Sequence, residues 1–330
     1  MFDIKFTIGF EKEDTQKLHQ YWDEIIASQQ WSEGKFTNLF EEKWSGHNKQ
    51  KSVAFSSWGG AALAALEFFN VKGKTVLCPS NTFMATPLSV IKAGGHVEFV
   101  DCNRNDLCVS LDDLKLKINK FNPAALWVVH IGGHIAFQIN EIAEYCIQKG
   151  ILLLEDCAHA HGASWNGIKA GSWGDAGIYS FYATKTISTG EGGMLVSKNK
   201  ELIAFAKKYR NYGKMEYEVE GLNYRMSEFA AAIGCAQVDR LDEIVAWKNE
   251  YANNYLDPKH SNRIKFPEKM ISGYYKYIVF DQVEKSTGKV YDQPCHRIMK
   301  KGYELPNSEW VANNHWCVPL YYKGNNQTIK

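Results

Sequence analysis

The stretch Ser180-Phe181-Tyr182-Ala183-Thr184-Lys185-Thr186-Ile187-Ser188-Thr189-Gly190-Glu191-Gly192-Gly193 sets one lysine between an apolar strand and a glycine-rich turn. The run Gly177 to Phe181 reads as a buried strand, and an amine at its end loses hydration. That loss lowers the pKa of Lys185 and makes it nucleophilic toward aldehydes. Upstream, Ile151-Leu152-Leu153-Leu154 runs into Glu155-Asp156, so a second buried strand brings a carboxylate to the same kind of edge. Lysine with a strand-end aspartate is the pairing that pyridoxal 5'-phosphate requires: an amine for its aldehyde and a counter-ion for its pyridinium nitrogen.

Outward from these two runs, short apolar segments alternate with amphipathic ones. Strands are expected at Val53 to Phe55, Thr75 to Cys78, Val97 to Val100, Leu126 to Val129, Ile151 to Leu154, Gly177 to Phe181 and Met194 to Val196. Helical spacing marks Ala61 to Phe69, Met84 to Lys92, Asn140 to Lys149 and Lys200 to Tyr209. Such alternation predicts a mostly parallel sheet covered by helices. The composition shifts to a charged connection at Gly213 to Glu220. Ser227 to Trp247 follows as a strong helix, with Ser227 as N-cap and Glu228, Asp239, Asp242 and Glu243 on exposed turns.

Composition narrows the class. The chain has 330 residues, 45% of them apolar, enough for a large core without staples. Lys and Arg number 38 against 37 Asp and Glu, a net +1 that offers no general attraction for nucleic acid. Eight cysteines without a C-x-x-C pair read as reduced core thiols of a cytoplasmic protein. Met1 to Lys5 lacks the pattern of a secretory leader, and no apolar run approaches the ~20 residues of a membrane span, so a soluble, unprocessed protein is expected.

The chain resembles the DegT/DnrJ/EryC1/StrS family of PLP-dependent sugar aminotransferases over nearly its whole length. The likeness rests on Glu155-Asp156-Cys157-Ala158-His159-Ala160-His161-Gly162-Ala163, on Gly171-Ser172-Trp173-Gly174-Asp175, on the Lys185 segment and on Gly221-Leu222-Asn223-Tyr224-Arg225-Met226-Ser227-Glu228. It implies an α/β fold of the fold-type I PLP transferases, with a seven-stranded, mostly parallel sheet and a small C-terminal α+β domain. Residues 1–212 would form the large PLP-binding domain with an N-terminal helical arm, and residues 213–330 the small domain, shortened between Phe280 and Tyr291.

By this resemblance Lys185 carries the cofactor and moves the proton, and Asp156 pairs with the pyridine nitrogen. Phe83 stacks on the ring. Backbone amides of Trp58, Gly59 and Gly60, with Ser180, hold the phosphate, and Asn223 reaches it from the second subunit of a homodimer with shared sites. Two positions depart from the family: His159 stands where glutamine is usual, making that contact pH-sensitive near neutrality, and Trp58-Gly59-Gly60 replaces Ser-Gly-Thr. His130, Arg225, His296 and Arg297 are candidates for substrate contact. The pattern Cys157-x-His159-x-His161 invites a zinc reading, but no further ligand has suitable spacing, and no metal is expected. The implied activity is ping-pong transfer of an amino group, glutamate's by family habit, to a nucleotide-linked ketodeoxysugar in surface-polysaccharide biosynthesis. The alternatives are an aminotransferase for a small phosphorylated ketone such as dihydroxyacetone phosphate in capsule biosynthesis, a sugar dehydratase and a non-catalytic regulator. Lys185 argues against the dehydratase, whose relatives carry histidine there, and retention of Lys185 and Asp156 argues against the regulator.

Overall fold

All seven apolar runs become strands of one sheet in the computed structural model, which describes residues 9–323. The Met1 to Lys5 segment read for a leader lies outside the described residues. In chain order the strands are β1 (Lys51–Phe55), β2 (Thr75–Pro79), β3 (His96–Val100), β4 (Ala125–Val129) and β5 (Leu152–Asp156). A small hairpin, β6 (Ser164–Trp165) and β7 (Ile168–Lys169), precedes β8 (Ala176–Ser180) and β9 (Gly193–Ser197). The sheet order is β1-β9-β8-β5-β4-β2-β3. Strands β3, β2, β4, β5 and β8 run parallel, and β9 runs antiparallel to both β8 and β1. Every residue of β4, β8 and β9 is buried, as expected when helices cover both faces of a sheet.

Helices α1 (Lys12–Ser28), α2 (Lys35–Asn48), α3 (Trp58–Phe68), α4 (Ala85–Lys92), α5 (Leu111–Phe121), α6 (Ile139–Lys149), α7 (Lys200–Tyr209) and α8 (Glu228–Tyr251) supply that cover. Two apolar cores result. One lies under α1, α2, α5, α6 and α8 and includes Phe36, Phe40, Trp44, Leu114, Ile142 and Leu241. The other lies under α3, α4 and α7 and includes Ala61, Ala65, Val90 and Leu202. Helix α5 has no counterpart among the sequence expectations, although Leu111, Leu114 and Ile118 recur at helical spacing on its buried face while Leu116 is exposed.

Residues 213–330, expected as the smaller domain, open with α8, which lies on α1 and α2. Ser227 caps α8, its Oγ accepting from the Ala230 N–H at 3.2 Å. The neighbouring Glu228 corrects a sequence expectation. It is buried, because it belongs to another helix's start: its carboxylate accepts from the amides of Gly34, Phe36 and Thr37 at 2.9, 2.6 and 3.0 Å and from Thr37 Oγ1 at 2.5 Å. A carboxylate there satisfies the orphan N–H groups of α2 and complements its dipole. Further on, β10 (Met270–Ile271) joins β6, and β11 (Tyr277–Val279) pairs with β12 (Trp316–Val318). Helices α9 (Cys295–Ile298) and α10 (Pro306–Asn313) return to the sheet. Asp101, just past β3, accepts from the Asn307 and Ser308 amides at 2.9 and 2.6 Å and so holds the start of α10.

Replacing Glu228 with alanine strands these buried donors, and the expected loss is about 2–4 kcal/mol of unfolding free energy. Glu228→Gln keeps the shape but turns an amide donor toward backbone N–H groups, so it too should destabilise. Urea unfolding followed by far-UV circular dichroism checks both; an unchanged midpoint for Glu228→Ala contradicts the capping role.

Candidate active site

The carboxyl edge of the parallel strands is where open α/β sheets place ligands, and β5 ends there with two carboxylates. Successive strand residues point to opposite faces, and the two carboxylates have separate surroundings. Asp156 Oδ1 accepts from Trp58 Nε1 at 3.1 Å and from the Ala158 N–H at 3.0 Å, while Oδ2 accepts from Thr86 Oγ1 at 2.9 Å. Burial raises the Asp156 pKa, and the bonds from Ala158 and Thr86 and the charge of Lys185 oppose that rise. Trp58 opens α3 and Thr86 lies in the first turn of α4, so three elements converge on one carboxylate. Neither the indole nor Thr86 was assigned to it from sequence.

Strand β8 stops at Ser180, so Lys185 lies on the following loop and not on the strand itself. The loop is pinned at both ends. The Lys185 amide donates to the Tyr182 carbonyl at 2.9 Å, the Thr189 amide to the Phe181 carbonyl at 3.0 Å, and the Phe181 amide to the Gly192 carbonyl at 2.9 Å. Gly193 closes it against α3: a Cβ there would sit 2.3 Å from the Ser57 carbonyl oxygen. The Lys185 ammonium lies 4.6 Å from the centre of the Tyr275 ring and has no hydrogen-bond acceptor among the described residues. Burial lowers its pKa to about 8; Asp156 acts against this and Lys276 reinforces it.

His159 is stacked on Tyr275, with ring centres 4.1 Å apart, and Tyr291 lies on a nearly parallel plane at 6.0 Å. Burial, then the charges of Lys185 and Lys276, hold the His159 pKa well below its ordinary value. The imidazole is therefore neutral at physiological pH, which corrects the expectation of pH sensitivity near neutrality. Its Nδ1 faces the Gly132 N–H at 3.4 Å, leaving Nε2 toward the Tyr291 hydroxyl at 3.5 Å.

At the start of α3 the three amides differ. The Gly60 N–H donates to Ser57 Oγ at 3.2 Å, and Gly60 is glycine because a Cβ would lie 2.8 Å from the Tyr224 ring. The N–H groups of Trp58 and Gly59 meet no acceptor among the described residues, which leaves them for an anion at a helix N-terminus. Ser180 is buried, with its Oγ accepting from the Tyr182 amide at 3.3 Å. Asn223 is exposed, and its Oδ1 accepts only from the Arg225 amide at 3.3 Å. Phe83 is 65% exposed, presenting an open ring beside the edge.

The substrate candidates fare differently. His130 is fully buried: its Nε2 bonds Glu155 Oε2 at 2.9 Å and its Nδ1 accepts from the Ala136 amide at 3.1 Å. Glu155 also accepts from the amides of Gly171, Trp173 and Gly174. His130 thus orders the interior and has no atom left for substrate. His296 is likewise fully buried, bridging Ser80 Oγ at 2.6 Å and Glu309 Oε1 at 3.1 Å. Arg297 pairs with Glu309, and Arg225 donates to Asn211 Oδ1 at 2.5 Å. Ligand atoms of His130, Glu155 and Cys157 lie within 4.8 Å of one another, but the Glu155 oxygens are committed to four N–H donors. Neither His159 nor His161 joins that group.

An unpartnered amine of lowered pKa, a buried carboxylate with a lone pair to spare and two free amides at a helix start fit the aldehyde, ring nitrogen and phosphate of pyridoxal 5'-phosphate. With the seven-stranded sheet, they define a PLP-dependent transferase of the α/β type. The chain belongs to the DegT/DnrJ/EryC1/StrS aminotransferase family, whose model matches residues 12–280. It is 35% identical over 231 residues to the GDP-perosamine synthase of Vibrio cholerae, a match covering 68% of this chain and 62% of that protein, so less than two thirds of this relative is spanned. It is 33% identical over 290 residues to the UDP-4-amino-4,6-dideoxy-N-acetyl-beta-L-altrosamine transaminase of Campylobacter jejuni, covering 83% and 75%. Among solved structures, the aminotransferase TlmJ from Streptoalloteichus hindustanus is similar with a TM-score of 0.87 and 26% identity, over 98% of this chain and 94% of that one. No described helix is long and apolar enough to cross a membrane.

The lowered pKa of Lys185 gives a signed pH prediction. A lysine attacks an aldehyde only when neutral, so capture of pyridoxal 5'-phosphate by the apoprotein should accelerate up to about pH 8 and then level off. Stopped-flow absorbance across pH 6 to ~10.5 measures this. A rate still climbing at the upper limit would place Lys185 in ordinary solvent.

Proposed function

We propose that the chain transfers an amino group from L-glutamate to the keto carbon of a nucleotide-linked deoxysugar in surface-polysaccharide biosynthesis. The carrying observation is Lys185, an unpartnered amine of lowered pKa beside the buried Asp156. The nucleotide-sugar acceptor is supported by relatives named for GDP- and UDP-linked amino sugars.

Pyridoxal 5'-phosphate, when bound, supplies an aldehyde for the amino group and an electron-poor ring that accepts the electrons of a broken C–H bond. Asp156, kept in place by Trp58, Thr86 and Ala158, would hold the ring nitrogen in its protonated form. Lys185 Nζ, once free, takes a proton from the donor's α-carbon; with a pKa of about 8 it both accepts and returns protons near neutral pH. The neutral His159 places an N–H beside that centre without adding charge. Trp58 and Gly59 amides, with Ser180, would bind the phosphate. Asn223, exposed on its own protomer, is assigned to the neighbouring site of a cytoplasmic homodimer, with residues 213–330 as the domain that completes each cleft.

Lys185→Ala should cost roughly 10²–10⁴-fold or more in turnover with glutamate and a nucleotide ketosugar, while the fold, read by circular dichroism, stays intact. Turnover near the parent's removes Lys185 from the reaction. Mixing Lys185→Ala with Asn223→Ala protein tests the shared site: each hybrid dimer carries one site with both lesions and one with neither. Activity should return on mixing, and hybrids that form yet stay inactive would end the crossing assignment.

A further inference from the structure

A cavity of about 240 Å³ opens beside Lys185, and its lining carries charge of one sign only. Lys185, Lys248 and Lys276 line it with the hydroxyls of Thr184, Thr186 and Thr287, and no aspartate or glutamate does. Lys248, on α8, is buried and donates to the Tyr274 carbonyl at 3.0 Å; Lys276 lies 5.2 Å from the centre of the Tyr275 ring. Neither lysine has a carboxylate partner among the described residues. The charge of Lys276 helps lower the pKa of both Lys185 and Lys248, after burial, which is the larger cause in each. Lys248 and Lys276 have no counter-ion in this low-dielectric recess, and an anion entering it relieves their repulsion.

Two features narrow the anion. No arginine lines the cavity to offer a planar fork, and lysine ammonium groups bind phosphate oxygens as point charges. The volume lies below the ~300–1,000 Å³ of complete ligand sites, so the recess takes one group of a larger molecule. We propose that Lys248 and Lys276 form the subsite that binds the diphosphate of the keto acceptor and so sets its keto carbon at Lys185. This assignment rests on the acceptor being a nucleotide-linked sugar.

The test uses holoenzyme and two probes, inorganic pyrophosphate and glutarate, titrated by calorimetry. Pyrophosphate should bind the parent saturably. Lys276→Met should weaken it by about tenfold or more, Lys276→Arg should recover most of the loss, and glutarate should bind all three proteins alike. Lys276 is only partly buried, so its variants can be compared even if Lys248→Met fails to fold. In turnover, Lys276→Met should raise KM for a nucleotide ketosugar by a similar factor, and Lys276→Arg, which keeps a cation beside Lys185, should restore most of it. No saturable pyrophosphate binding to the parent, no loss in Lys276→Met, or an equal loss for glutarate overturns the subsite. Pyrophosphate binding that follows the expected pattern in a protein inactive toward every ketosugar would leave the subsite standing and refute the proposed reaction instead.

Discussion

Keeping Asp156 as a carboxylate away from water is the constraint on which the rest of the site depends. Burial alone drives a carboxyl group toward its neutral form, and the protein answers with three donors and one neighbouring cation. Trp58 must be held at the start of α3, Thr86 at the start of α4 and Ala158 in the loop after β5. Trp58 and Thr86 therefore each fix a helix relative to the strand that ends in Asp156, and Ala158 fixes the loop that leaves it. The same burial lowers the pKa of Lys185, and the two charges oppose each other's desolvation. A proton acceptor near neutral pH is in this sense a by-product of how deeply the sheet edge is enclosed.

One residue earlier, Glu155 solves the same problem differently. Its four donors come from His130 and the turn amides of Gly171, Trp173 and Gly174. It binds the loop that follows the hairpin to β5 and offers nothing to a ligand. Two adjacent carboxylates on one strand thus take opposite roles because they face opposite sides of the sheet.

The C-terminal part reaches the site by packing, not by sequence proximity. Gly133 and Gly132 carbonyls accept from the amides of Gly273 and Lys276, which carries Tyr275 and Lys276 to the Lys185 loop. Asp101 and the Ser80–His296–Glu309 chain tie α9 and α10 to the far end of the same sheet. The residues expected to meet substrate there, His130 and His296, instead spend their nitrogens holding elements together.

The seven strands of the sheet and the helices α3, α4, α6, α7 and α8 were legible in the chain, because strand and helix periodicity are local properties. Only the tertiary structure decided which polar residues remain available. Glu228 looked like a solvated first-turn acid until α2 was placed over it; His159 looked titratable until Tyr275, Lys185 and Lys276 closed around it. Trp58 and Thr86 gave no local sign of serving Asp156, since hydrogen bonds spanning 98 and 70 residues leave no spacing to read. Sequence determines which chemistry a side chain has; burial and partners, set by residues far along the chain, determine whether it is free to use it.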